Sequence, residues 1–140
     1  MRKAFAVSRI LIIENSTIYR QLLKETLQSR FPSVEILEAV DGEEALQQIH
    51  AFSPDLIFMD IKLPGTNGLE LTRKIKDQYP ALPIVILTAY DLPEYREAAS
   101  QSKADYFLAK GSATRADIST MVGSILSTLC QNRTGPRNGD

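Results

Sequence analysis

Five short apolar runs alternate along the chain with longer amphipathic stretches, and the two kinds of segment differ in period. The runs are Arg9 to Ile13, Val34 to Ala39, Asp55 to Met59, Ile84 to Leu87 and Tyr106 to Leu108. Three of them are near-continuous in Ile, Leu, Val, Phe or Met, as expected of strands covered on both faces. Strand and helix in strict alternation, with no internal linker or low-complexity segment, predict an α/β fold in which helices cover a parallel sheet.

The helical stretches carry start and stop signals. Ser16 precedes Ile18, Tyr19, Leu22, Leu23, Thr26 and Leu27, which repeat at helical spacing. Asp41 with Glu44 resembles a capping box ahead of Ala45, Leu46 and Ile49. A third helix is expected from Leu69 to Tyr79, with Leu71 and Ile75 inward, ending before Pro80. A fourth, Pro93 to Ser102, buries little beyond Tyr95, Ala98 and Ala99, so it is the helix best placed to move. In the last, Ile118, Met121, Val122, Ile125, Leu126, Leu129 and Cys130 follow the helical stripe, which makes Cys130 an inert core thiol. His50 falls at the end of the second helix, a surface position. Residues 1–7 read as an extension, 8–131 as one domain, and 132–140, with Gly135, Pro136 and Gly139, as a flexible tail.

Composition narrows the function. The 140 residues carry 16 Lys and Arg against 17 Asp and Glu, which leaves no basic field for a nucleic-acid backbone. The apolar runs stop far short of the roughly 20 residues that span a bilayer, and Ser8, Arg9 and Glu14 spoil a signal-peptide reading. One cysteine allows no internal disulfide, in keeping with a reducing cytoplasm, and one Cys with one His cannot supply a zinc site.

Ligands of an open α/β sheet bind at the carboxyl ends of its strands. Here those ends read Glu14-Asn15, Asp60, Thr88 and Lys110. Each has a bland reading singly, as a solvated strand end, a helix cap or a surface lysine. Together, two carboxylates, an amide, a hydroxyl and a lysine suit a hard divalent cation beside a phosphoryl group. Magnesium held by Glu14, Asp60 and a backbone carbonyl would neutralise part of the charge, and Lys110 the rest. Asp60 is suited to act as the nucleophile and form an acyl phosphate, with Thr88 donating to a phosphoryl oxygen.

The stretches LIIENSTIYRQLL, DLIFMDIKLPGTNGLEL, PIVILTAY and ADYFLAK, in this order, resemble the response-regulator receiver domain of two-component signalling over about Ser8 to Gln131. The resemblance implies a flavodoxin-like three-layer sandwich of five parallel strands in the order 2-1-3-4-5 with five helices. It implies Asp60 as phosphoacceptor, Thr88 as switch hydroxyl, Lys110 as the family's lysine, and a magnesium site of Glu14, Asn15, Asp60 and the Lys62 backbone carbonyl. Phe107 falls at the switch-aromatic position, although alternation alone makes either Tyr106 or Phe107 simple core. Ala89 is small, as access to the phosphoryl group requires. Implied partners are a histidine kinase or histidine phosphotransfer protein upstream and a protein or output domain downstream. The fourth helix, fifth strand and fifth helix are the implied surface for pairing with a second copy. Such a protein is a signalling phosphoacceptor rather than an enzyme, assisting at most its own phosphorylation and dephosphorylation. The length leaves no room for a DNA-binding domain, so the expected output is a protein contact unless the chain is part of a longer regulator.

Two departures stand out. Asn15 replaces the acidic residue that would ligate magnesium directly, which predicts weakened binding rather than loss of the site. Gly111 follows Lys110 where the family commonly has proline, which predicts a looser loop. The alternative is a receiver-like interaction module that no longer switches by phosphorylation; retention of Asp60, Thr88 and Lys110 together argues against it. A flavin-binding relative would want a glycine-rich phosphate loop where ENSTIYR stands, and an aspartate-dependent phosphatase a DxD sequence there. Pro64, Gly65 and Gly68 read first as a turn, and Ile18 and Tyr19 as either core or partner-facing. Lys62 and Tyr90, each two residues beyond a site residue, are bulky enough to shield a phosphoryl group from water.

Overall fold

The computed structural model describes residues 8–133. The extension 1–7 and the end of the expected tail lie outside the described residues. In chain order the main elements are β1 (Arg9–Ile13), α1 (Thr17–Arg30), β2 (Glu35–Ala39), α2 (Gly42–Phe52), β3 (Leu56–Asp60), α3 (Gly68–Gln78), β4 (Ile84–Thr88), α4 (Pro93–Gln101), β5 (Tyr106–Ala109) and α5 (Arg115–Arg133). All five strands pair in parallel in the order β2-β1-β3-β4-β5, the order expected from the sequence. A short antiparallel ribbon, Lys62–Leu63 against Thr66–Asn67, interrupts the loop between β3 and α3, where the sequence reads only as a turn. The ribbon turns at Gly65 with φ 74°, a conformation that costs glycine little.

Side-chain alternation along the central strands splits the core in two. Leu11, Ile13, Ile57, Met59, Ile84 and Ile86 face α2, α3 and α4, while Ile10, Ile12, Phe58, Val85 and Leu87 face α1 and α5. Strands β3 and β4 are buried throughout, which is why their sequences show no polar alternation. Ser16 caps α1 by accepting the Tyr19 amide at 3.2 Å, and Asp41 caps α2 by accepting that of Glu44 at 2.9 Å. Glu44 completes its half of the box one residue early, on the Val40 amide at 2.8 Å. A second box, Thr114 with Asp117, starts α5.

Three expectations need correction, and Ile18, open between core and partner-facing, lies outside the core. Ile18 is 84% exposed and Leu46 42% exposed. Cys130 is exposed rather than core. The causes are geometric: Ile18 stands five residues before Leu23 and Cys130 five after Ile125, and five steps of a helix rotate a side chain well off the buried face. Leu46 follows Ala45 directly and is turned toward solvent by one step. Finally, α5 continues to Arg133, beyond the point where the tail is expected to begin.

Candidate functional site

Three of the five residues singled out at the carboxyl edge meet. The Lys110 ammonium lies 2.8 Å from Glu14 Oε1 and 3.4 Å from Asp60 Oδ2. The two-residue period of the strands explains the meeting. Glu14 continues the row Ile10, Ile12; Asp60 the row Leu56, Phe58; and Lys110 the row of Leu108, all on the α1 and α5 side of the sheet. Thr88 instead continues Ile84 and Ile86 on the other side. Its hydroxyl accepts the Tyr90 amide at 3.0 Å, which leaves its O–H free to donate.

Glu14 is fully buried, and Asp60 is 8% exposed. Burial raises the Glu14 pKa above the ordinary carboxylate value, the contact with Lys110 and the Ser16 amide pull it back in part, and the Asp60 charge pushes it up again. The Ser16 amide donates to Glu14 Oε2 at 2.9 Å. Glu14 Oε1 has Lys110 as a close ion-pair neighbour but no well-directed hydrogen bond. Asp60 Oδ1 accepts a long bond, 3.4 Å, from the Lys62 amide.

The donors fit a hard cation: an under-bonded buried carboxylate oxygen on Glu14, the Asp60 carboxylate, an exposed amide at Asn15 and the backbone at Lys62, all oxygen ligands. Among the described residues, however, no three His, Cys, Asp or Glu side chains cluster to hold a metal.

Several contacts of the site have no signature in the sequence. Gly68 comes so close to β3 that a Cβ there would lie 2.0 Å from the Asp60 carbonyl oxygen, so only glycine lets α3 start at this distance. Its amide donates to the Ile61 carbonyl at 2.7 Å. Arg20 donates to the Glu14 carbonyl at 2.7 Å and to Glu38 at 2.9 Å, tying the turn after β1 to β2. Tyr19 lies beneath Lys110, with the ammonium 4.9 Å from its ring centroid. Lys62 stands 4.7 Å from the Tyr90 ring centroid, and Tyr90 stacks on Tyr95 of α4 at 5.8 Å.

Of the two aromatic residues at the start of β5, Phe107 turns inward against the α2, α3 and α4 side, while Tyr106 is 41% exposed. The Arg96 guanidinium covers the Phe107 ring at 4.5 Å. The Ser112 and Ala113 amides both donate to the Ala109 carbonyl, so the loop containing Gly111 is tied back to β5. Among the described residues no helix is long and apolar enough to cross a membrane.

The family model for the response regulator receiver domain matches residues 10–122. The response regulator MprA of Mycolicibacterium vanbaalenii is 36% identical over 102 residues, 73% of this chain and 43% of that protein. A protein-glutamate methylesterase/protein-glutamine glutaminase of Syntrophus aciditrophicus is 40% identical over 82 residues, 58% of this chain and 23% of that protein. The chain thus spans less than half the length of these curated relatives. A putative response regulator from Chloroflexus aurantiacus superposes with a TM-score of 0.78 at 30% identity, covering 86% of this chain and 98% of its own. A CheY-like receiver domain protein from Methanospirillum hungatei gives 0.80 at 26% identity, covering 92% and 99%.

Proposed function

The chain belongs to the response regulator receiver domain family of two-component systems, and on that premise we propose that Asp60 is its phosphoacceptor. The observation that carries the proposal is the Lys110 ammonium shared between the buried Glu14 and Asp60 carboxylates. A lysine held there supplies a compact positive charge beside the one carboxylate that remains accessible enough to react. An Asp60 carboxylate oxygen attacks phosphorus as the bond to the donor's nitrogen or oxygen breaks. The product is an acyl phosphate, and the electron pair leaves with the donor.

Lys110 neutralises charge on the incoming group, and the Thr88 O–H donates to a phosphoryl oxygen once it is in place. Glu14, Asn15, Asp60 and the Lys62 backbone carbonyl are the proposed holders of magnesium, which when bound would neutralise charge on the oxygens of the transferred group. Thr88 drawn toward Asp60 would carry with it the bond from the Tyr90 amide or break it, and Tyr90 stacks on Tyr95 of α4. Rearrangement of α4, with Phe107 beneath Arg96, is therefore the proposed readout.

The proposed upstream partner is a histidine kinase or histidine phosphotransfer protein in the cytoplasm. The proposed output is a protein contact on α4, β5 and α5, with pairing to a second copy of the chain as one form of it. Intact mass after incubation with acetyl phosphate and magnesium, beside an Asp60→Ala control, tests the reading. One labile phosphoryl adduct lost in the control is expected, with beryllofluoride shifting the amide signals of Thr88 and Phe107. No adduct and no shifts at high magnesium would leave an interaction module that does not switch.

A further inference from the structure

We propose that Tyr19 is a positioning residue for Lys110, its ring face holding the ammonium in the gap between Glu14 and Asp60. The assignment rests on the phosphoacceptor reading of Asp60. A lysine side chain is a point charge on a flexible four-carbon stem, and two carboxylates at unequal distances do not by themselves fix its position. Here the ammonium has a third neighbour, the Tyr19 ring, with its centroid 4.9 Å away, inside the range in which a cation is attracted to an aromatic face. Glu14 approaches the same nitrogen at 2.8 Å and Asp60 at 3.4 Å. The ring thus gives the mostly buried ammonium a third contact besides the two carboxylates.

Tyr19 is itself held in place. Its amide donates to the Ser16 cap at 3.2 Å, which fixes the first turn of α1, and its ring packs on the core between the sheet, α1 and α5. Its hydroxyl is buried and makes no hydrogen bond. Burial and the nearby Glu14 charge also disfavour its ionisation, so the ring faces Lys110 as a neutral aromatic surface. The face of the ring, and not its oxygen, is what Lys110 meets. Phenylalanine should therefore serve as well, and a branched aliphatic of similar bulk should not.

The test compares Tyr19→Phe and Tyr19→Leu with the parent by two readouts. In the unphosphorylated protein, the Lys110 ε-methylene protons should lie upfield of those of exposed lysines because of the ring current. They should stay there in Tyr19→Phe and return to the ordinary position in Tyr19→Leu. The rate constant for phosphorylation by acetyl phosphate should stay within about twofold in Tyr19→Phe and fall about three- to tenfold in Tyr19→Leu. A Tyr19→Leu protein that keeps the rate overturns the proposal, as does a Tyr19→Phe protein that falls as far as Tyr19→Leu. Absence of phosphorylation in the parent would instead refute the phosphoacceptor reading; the ε-proton shift, measured without any phosphodonor, then decides the positioning by itself.

Discussion

Glu14 Oε1 lies 2.8 Å from the Lys110 ammonium, closer than Asp60 Oδ2, and the Glu14 side chain has no exposure to solvent. The pair is a compromise between folding and chemistry. Burial holds the Glu14 pKa above 4.5 even with a cation beside it, so the ionised form is less comfortable in the folded protein than in water.

Glu14→Gln should therefore stabilise the protein at neutral pH in the absence of divalent cations. As pH rises past about 4.5 the unfolded chain gives up the Glu14 proton first, so the parent loses stability up to the folded-state pKa, and the variant avoids that loss. The expected result is a thermal midpoint above the parent's at pH 7.5, the gain shrinking as pH falls toward 4.5. A midpoint below the parent's at pH 7.5 would show that the ion pair outweighs the cost of burial.

Asn15→Asp should tighten magnesium binding by about tenfold. A full charge close to a dication is worth several kcal/mol of gross attraction, most of which hydration cancels. Amide shifts around Asp60 during a magnesium titration measure the affinity directly. An unchanged affinity would place Asn15 outside the cation's reach.

Lys62→Ala and Tyr90→Ala should each speed loss of the phosphoryl group from Asp60, by roughly two- to tenfold. Lys62 stands over the Tyr90 ring at 4.7 Å, and the expectation is that together they screen the phosphoryl group from water. Decay of the adduct followed by intact mass gives the rates, and the double variant should be little faster than the quicker single one.

Asp105→Ala should cost about 2–3 kcal/mol in urea unfolding without altering phosphorylation. Asp105 Oδ2 accepts from both the buried Lys76 ammonium at 2.8 Å and the Ile84 amide at 2.9 Å, pinning the starts of β4 and β5 at the edge away from the site. Lys76→Met, which removes the buried charge with the pair, should cost distinctly less.

Residues set at the carboxyl ends of apolar runs are legible from the sequence alone, because a strand end and its polar residue are consecutive in the chain. Glu14, Asp60 and Lys110 stand out in this way. What joins distant segments is not legible there. The Tyr19 ring beneath Lys110, the Gly68 backbone against Asp60 and the Lys76–Asp105 pair each need two elements already in place. Spacing alone also exaggerates how wide a buried helical face is. Ile18, Leu46 and Cys130 sit within an apolar pattern, yet the layers cover only its middle.

Leu92, at the N-cap of helix α4, gives it no side-chain hydrogen bond, and within the helix only Ala99 is buried. Local opening free energy tracks the apolar surface a segment hides, so amides of α4 should exchange with deuterium well before those of β3 or β4. A single hydrogen bond, worth about 1 kcal/mol, shifts a two-state ratio about fivefold, so on the proposed switch one hydroxyl on β4 is enough to redistribute a helix held this lightly.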